Sequence, residues 1–248
     1  MIQKLLKEIN NHIILDCIET WPNELVSYLE SKLNDNEYAT NIENCRSDLE
    51  QILHQTKFIG FHCTRLTDEE IKNIKAKGLN LKRSELLANR IDFLKKNDYD
   101  FSSINYLNPE EESYNGIFFN HCIRHLKDEY SYNRLFGFWG GESLSNYFDM
   151  RPTLLKKITE IGKPCIIVAS LNYKEIKLAD LPNNLLETYK NYSSLPSLNT
   201  LSNKYDDTYI FDSDGLVQNN VKVLNIIVYD NELFEQLTNY SSWNEAQI

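Results

Sequence analysis

Phe58-Ile59-Gly60-Phe61-His62-Cys63-Thr64-Arg65, followed by Thr67-Asp68-Glu69-Glu70-Ile71 and closing at Gly78-Leu79, is the stretch on which the fold turns. A short apolar run ending in a polar cluster reads as a strand; the segment after it reads as a capped helix with a glycine stop. Thr67 is a suitable N-cap, and Glu70 three residues on completes a capping box. Ile71 and Ile74 give the helix an apolar edge, while Lys72, Lys75 and Lys77 place positive charge in its later turns, where the helix dipole favours it. Gly78 offers the left-handed cap. Side chains alternate along a strand, so His62 and Thr64 share one face, and Arg65 takes the other or bends into the loop. A ring nitrogen, a hydroxyl and a guanidinium beside the free N–H groups of a helix start suit a nucleotide or another phosphate-bearing ligand. The alternative is a satisfied structural histidine.

Around this unit, residues 57–96 carry ten Lys/Arg against five Asp/Glu, in a chain whose net charge is −10. A basic zone of this kind attracts phosphate, or is simply a solvated helix face. Residues 205–248 hold eight acids and one lysine, and the overall acidity argues against broad electrostatic binding to nucleic acid. At 248 residues, 42% of them hydrophobic, the chain has room for one large domain with a helical appendage. Five scattered cysteines lack metal-type pairing, and Lys4 and Lys7 interrupt the short apolar N-terminus. The expectation is therefore no signal peptide, reduced thiols and a cytoplasmic location. No run approaches the ~18 apolar residues of a membrane span.

Residues 1–55 read as a helical N-terminal segment, a lead-in packed on the main domain or a surface for a protein partner. Ile2, Leu5, Leu6 and Ile9 recur at helical spacing, Trp21-Pro22-Asn23 breaks the run, and residues 25–33 and 44–53 resume it. Residues 56–248 read as a mixed α+β domain. Strands are expected over 116–119, 135–139, 165–170, 209–211, 215–217 and 223–229, and helices over 84–94, 143–148 and 152–161. Arg90 on the first of those helices points inward or across to Glu85. Residues 97–114 read as a long loop, and the Asn/Ser/Leu-rich residues 183–205 as surface cover.

Three further constellations carry chemistry. In Trp139-Gly140-Gly141-Glu142 the paired glycines allow close backbone approach, and Glu142 is either a general base or a first-turn helix acid. Asp212-Ser213-Asp214-Gly215 is a turn signature whose carboxylates become functional only beside a second site. His121 and His125 stand at i and i+4, but Cys122 occupies the position where zinc proteases of this spacing carry Glu, so no metal is expected. Cys63 is poorly placed as a nucleophile for His62, because adjacent strand residues point to opposite faces.

The order of these pieces resembles the ADP-ribosyltransferase superfamily, in the branch whose first motif is a strand bearing His-x-Thr. The likeness covers roughly residues 57–230 as an order of motifs: Phe58 to Arg65, Thr67 to Leu79, Gly116 to Asn120 and Asp214 to Val217. The chain also looks like a set of uncharacterised bacterial proteins combining His-x-Thr-Arg-Leu with Trp-Gly-Gly-Glu. The resemblance implies an α+β fold with a split, mostly antiparallel β core. It implies NAD as substrate, no metal, and transfer of ADP-ribose to a protein or nucleic-acid acceptor, in a toxin or phage-defence setting. His62 would hydrogen-bond the adenine-side ribose, Cys63 would offer its backbone to the nicotinamide amide, and Thr64, Arg65 and Arg90 would complete the binding half. Phe118 or Phe119 would stand where the family has a stacking tyrosine. Asp214, or Asp212, would replace the family's catalytic Glu, with Glu142 in reserve. Phe for Tyr and Asp for Glu are departures, and they support the alternative of a catalytically inert member that binds a nucleotide or a protein.

Overall fold

The computed structural model describes residues 5, 7–9, 11–33, 42–79, 83–97, 116–127, 135–140, 144, 152–176, 181–194, 207–211, 221–229 and 232–238. Its centre is β2 (Lys57–Leu66). Strand β4 (Lys163–Asn172) pairs antiparallel with β2 along the whole length of both, from Lys57↔Asn172 to Leu66↔Lys163. The unbroken apolar run through Ile166, Ile167 and Val168 fits a strand covered on both faces. β6 (Lys222–Val228) continues the sheet beyond β4, with a register shift at Val168/Ala169.

The other edge of β2 is shared. β1 (His12–Ile13) runs parallel to its first two residues, and β3 (Gly116–Asn120) joins further along through Phe61↔Asn120. β5 (Asp207–Phe211) pairs antiparallel with all of β3. The order is β5-β3-β2-β4-β6, with β1 off this path against β2. The protein is thus mixed α/β, built on a curled, mostly antiparallel sheet.

Strand alternation sorts the core. Phe58, Leu66, Ile117, Phe119, Cys165, Ile167 and Leu171 share one buried cluster with Leu25 and Leu29 of α1 (Asn23–Leu33), Leu49 and Leu53 of α2 (Ile42–Gln55), and Leu181 and Leu185 of α6 (Leu181–Ser194). Ile59, Phe61, Cys63, Ile166 and Val168 form the opposite cluster with Phe136 and with Phe234 and Leu237 of α7 (Glu232–Thr238). A third cluster joins Leu87, Ile91 and Leu94 of α4 (Arg83–Lys96) to Trp139, Ile161 and Ile158 of α5 (Pro152–Glu160). Among the described residues no helix is long and apolar enough to cross a membrane.

The Thr67 unit folds as its sequence indicates. α3 (Asp68–Lys77) carries the full capping box, Glu70 N–H donating to Thr67 Oγ1 and Thr67 N–H donating to Glu70. Gly78 closes it at φ 83° and ψ −175°, outside the left-handed helical well but in a region essentially restricted to glycine. The expected strand over 135–139 is instead a helical turn at 135–137 followed by a bend and turn. A five-residue apolar run does not distinguish the two by periodicity, and here Arg65 takes the Phe136 carbonyl. The supposed surface cover after residue 183 begins as α6, whose Leu185 and Leu186 are core. The N-terminal segment is helical in α1 and α2 but also supplies β1. His121 and His125 do not share an α-helix: residues Arg124–Lys127 form a 3-10 turn. Asp16 caps that turn, accepting the Ile123 and Arg124 N–H groups at 2.8 Å each. The expectations over 98–114 and 215–217, and over 143–148 apart from Leu144, lie outside the described residues.

Candidate functional site where β2 and β3 separate

The β2–β3 ladder consists of Phe61↔Asn120 alone. Antiparallel continuation would set His62 opposite Phe119 and Thr64 opposite Ile117, yet no such pairs form, so among the described residues no strand pairs with β2 from His62 to Arg65 on that side. Two side chains explain the separation. His62 Nδ1 reaches the Phe118 carbonyl at 2.9 Å, taking an acceptor that a ladder N–H would otherwise use. Phe119, wholly buried, lies over Gly60, where a Cβ would come within 2.7 Å of its ring. The rings of His62 and Phe119 are 5.9 Å apart and tilted by 57°.

A carbonyl only accepts, so His62 Nδ1 carries the proton. Burial depresses the His62 pKa to about 4; the bond to Phe118 pulls the other way, and the Arg90 charge adds to the depression. At neutral pH the ring is therefore uncharged, and its Nε2 lone pair is an acceptor. That atom bonds to no described residue. Thr64 stands about 7 Å along the same strand face, and its hydroxyl likewise bonds to no described residue.

Arg90 enters from α4. Its Nε donates to Glu70 Oε1 at 3.1 Å, not to Glu85, and its guanidinium carbon lies 5.4 Å from the centre of the Trp139 ring. The two terminal nitrogens make no hydrogen bond to a described residue, although the side chain is only 14% exposed. A neutral acceptor and a held cation thus stand within electrostatic reach of each other.

The remaining expected residues fall elsewhere. Cys63 points to the opposite face, where burial pushes its thiol well above the usual range. Arg65 also leaves the His62 face: its Nε, Nη1 and Nη2 donate to the carbonyls of Ile161, Phe136 and Gly162 at 2.9, 3.1 and 3.0 Å. It clamps the turn before β4, where Gly162 has φ +67° and a Cβ would strike the Leu66 backbone at 2.6 Å. Phe119 is packed in the core. The register puts Phe118 on the other face with Phe61, so only its carbonyl serves His62. Asp212, Asp214 and Glu142 lie outside the described residues.

Sequence reasoning read Glu70 as a helix cap and missed its second role. The fold brings it to Arg90 and Trp139, and the only local hint was an aromatic preceding Gly140. Among the described residues no three His, Cys, Asp or Glu side chains gather as a metal-ligand set. No protein-family model, curated protein or solved structure matches the chain.

Proposed function

We propose that the chain is an NAD-dependent ADP-ribosyltransferase that binds the dinucleotide along β2 from His62 to Arg65. The observation that carries the reading is His62: its proton is spent on Phe118, and its Nε2 lone pair lies within electrostatic reach of an anchored arginine. A neutral imidazole in this tautomer accepts from a ribose hydroxyl, and a guanidinium with free terminal nitrogens takes a pyrophosphate oxygen. The Cys63 main chain would receive the nicotinamide amide. Bond breaking would release neutral nicotinamide from C1′ of its ribose, and the acceptor nucleophile on the macromolecule would form the new bond there as it loses its proton. A carboxylate, Asp214 or else Asp212 or Glu142, would stabilise the oxocarbenium-like state between.

One observation favours the second reading, an inert nucleotide-binding member. Phe119 is consumed by core packing and Phe118 faces away from His62, so neither offers a ring to nicotinamide on the His62 side. Incubation with labelled NAD, with and without lysate, separates the readings. Nicotinamide release or a labelled macromolecule supports the transferase. Binding without release supports the inert member, and absence of both sinks the nucleotide assignment.

A further inference from the structure

We infer that Glu70 is the positioning residue of this site: its carboxylate fixes the Arg90 guanidinium over the Trp139 ring and leaves both terminal nitrogens for the phosphates of a nucleotide. The inference rests on the nucleotide reading above and adds to it how the anion receptor is built.

A capping box needs one oxygen of its glutamate, to accept the N-cap N–H. Glu70 does far more. Its Oε2 accepts Thr67 N–H at 2.8 Å, the Thr67 hydroxyl at 3.1 Å and the Trp139 indole N–H at 2.7 Å. Its Oε1 accepts Arg90 Nε–H at 3.1 Å. The pair is largely withdrawn from water, at 23% exposure for Glu70 and 14% for Arg90, so each bond is stronger than on an open surface.

The platform is equally fixed. Trp139 is buried, its main-chain N–H donates to the Ile158 carbonyl at 3.0 Å, and Phe93 packs at 5.1 Å. Gly140 follows at φ +90°, where a Cβ would meet Leu144 at 2.4 Å, so the turn that delivers the indole requires glycine. Trp139-Gly140 thus has a use that does not involve the carboxylate of Glu142. A guanidinium held through Nε and by a ring face keeps its outer fork free, the geometry that receives a phosphate in two bonds.

The test uses the full chain with ADP-ribose and adenosine as probes in calorimetric titrations. Glu70→Gln retains a capping-box residue but loses the charge-assisted bond to Arg90. It should weaken ADP-ribose about 10-fold and leave adenosine unchanged, while the urea midpoint falls because one amide oxygen cannot serve all four donors. Thr67→Ala removes the cap hydroxyl and keeps the main-chain N–H on Glu70, so it should lower the midpoint and spare both affinities. Trp139→Phe removes the indole N–H while keeping a ring, and should weaken ADP-ribose alone, without touching the cap. Wild-type ADP-ribose affinity in Glu70→Gln, or equal losses for both probes, overturns the positioning role while nucleotide binding stands. A wild-type protein that binds neither probe removes the nucleotide reading, and this inference with it.

Discussion

Acidification from about pH 7 to about pH 5 should destabilise the fold by about 2 kcal/mol through His121 alone. The ring is fully buried, and its Nδ1–H donates to the Ile59 carbonyl at 2.7 Å. Burial lowers its pKa from 6.5 to about 4, against the opposing pull of that bond. An unfolded chain takes up the proton near the ordinary value and the folded chain only near 4. Between these values the unfolded state binds more protons, so stability is present above 6.5 and falls as pH falls. Carried below 4, the loss from a shift of this size reaches about 3 kcal/mol. His62 acts in the same direction but, being partly exposed, contributes less. Asp16 acts oppositely, because burial raises its folded pKa and acid therefore favours the native state. His121→Asn separates these effects: Asn keeps a donor near the Nδ1 position and does not titrate, while the other groups remain. Urea unfolding followed by circular dichroism at both pH values gives the comparison. The variant should lose about 2 kcal/mol less than wild type between the two pH values. Equal losses, within ~0.5 kcal/mol, would refute the claim that burial holds this ring neutral.

Gly60→Ala should cost about 1–3 kcal/mol, because its Cβ would collide with Phe119 and Leu171 at 2.7 and 2.8 Å; a wild-type urea midpoint would contradict that packing. Arg65→Ala should cost on the order of 3 kcal/mol by releasing three carbonyls, and Arg65→Lys, which lacks the planar fork, should recover less than half of it. If Arg65→Lys instead keeps its stability and loses NAD affinity in calorimetry, Arg65 belongs to the ligand and not to the turn. Native alkylation read by mass spectrometry should leave Cys63 and Cys165 unmodified until the chain unfolds, since both are buried and burial pushes Cys165 up to about 12 and Cys63 well above its usual value. Rapid labelling of either would show that the sheet faces open readily.

What was legible in the sequence is what short-range chemistry fixes. The apolar β-branched run marks β4, and Thr67 with Glu70 marks a cap because its partners are three residues apart. Alternation placed His62 and Thr64 together and Arg65 opposite. The failures share a cause: each depends on a contact between distant residues. Arg65 meets carbonyls at 136, 161 and 162, Glu70 meets Arg90 and Trp139, and Asp16 meets amides at 123 and 124. No periodicity encodes such pairs. Residues 135–139 failed for a related reason, since tertiary partners decided between strand and turn for an apolar run too short to decide itself.

Histidine and arginine each occur here in two settings. His62 and His121 have the same tautomer, each tied through Nδ1 to a strand carbonyl, and each is held near pKa 4. His121 Nε2 is buried without a hydrogen-bond partner, and His62 Nε2 likewise bonds to no described residue. Arg65 and Arg90 differ: three carbonyls take the Arg65 guanidinium, but Arg90 is anchored through Nε and keeps its outer nitrogens. His62 and Arg90 stand within electrostatic reach of each other. For the proposed nucleotide, an acceptor and a cation within electrostatic reach of each other complement a hydroxyl joined to a phosphate, which ties it to His62 and Arg90 and not to the basic character of residues 57–96.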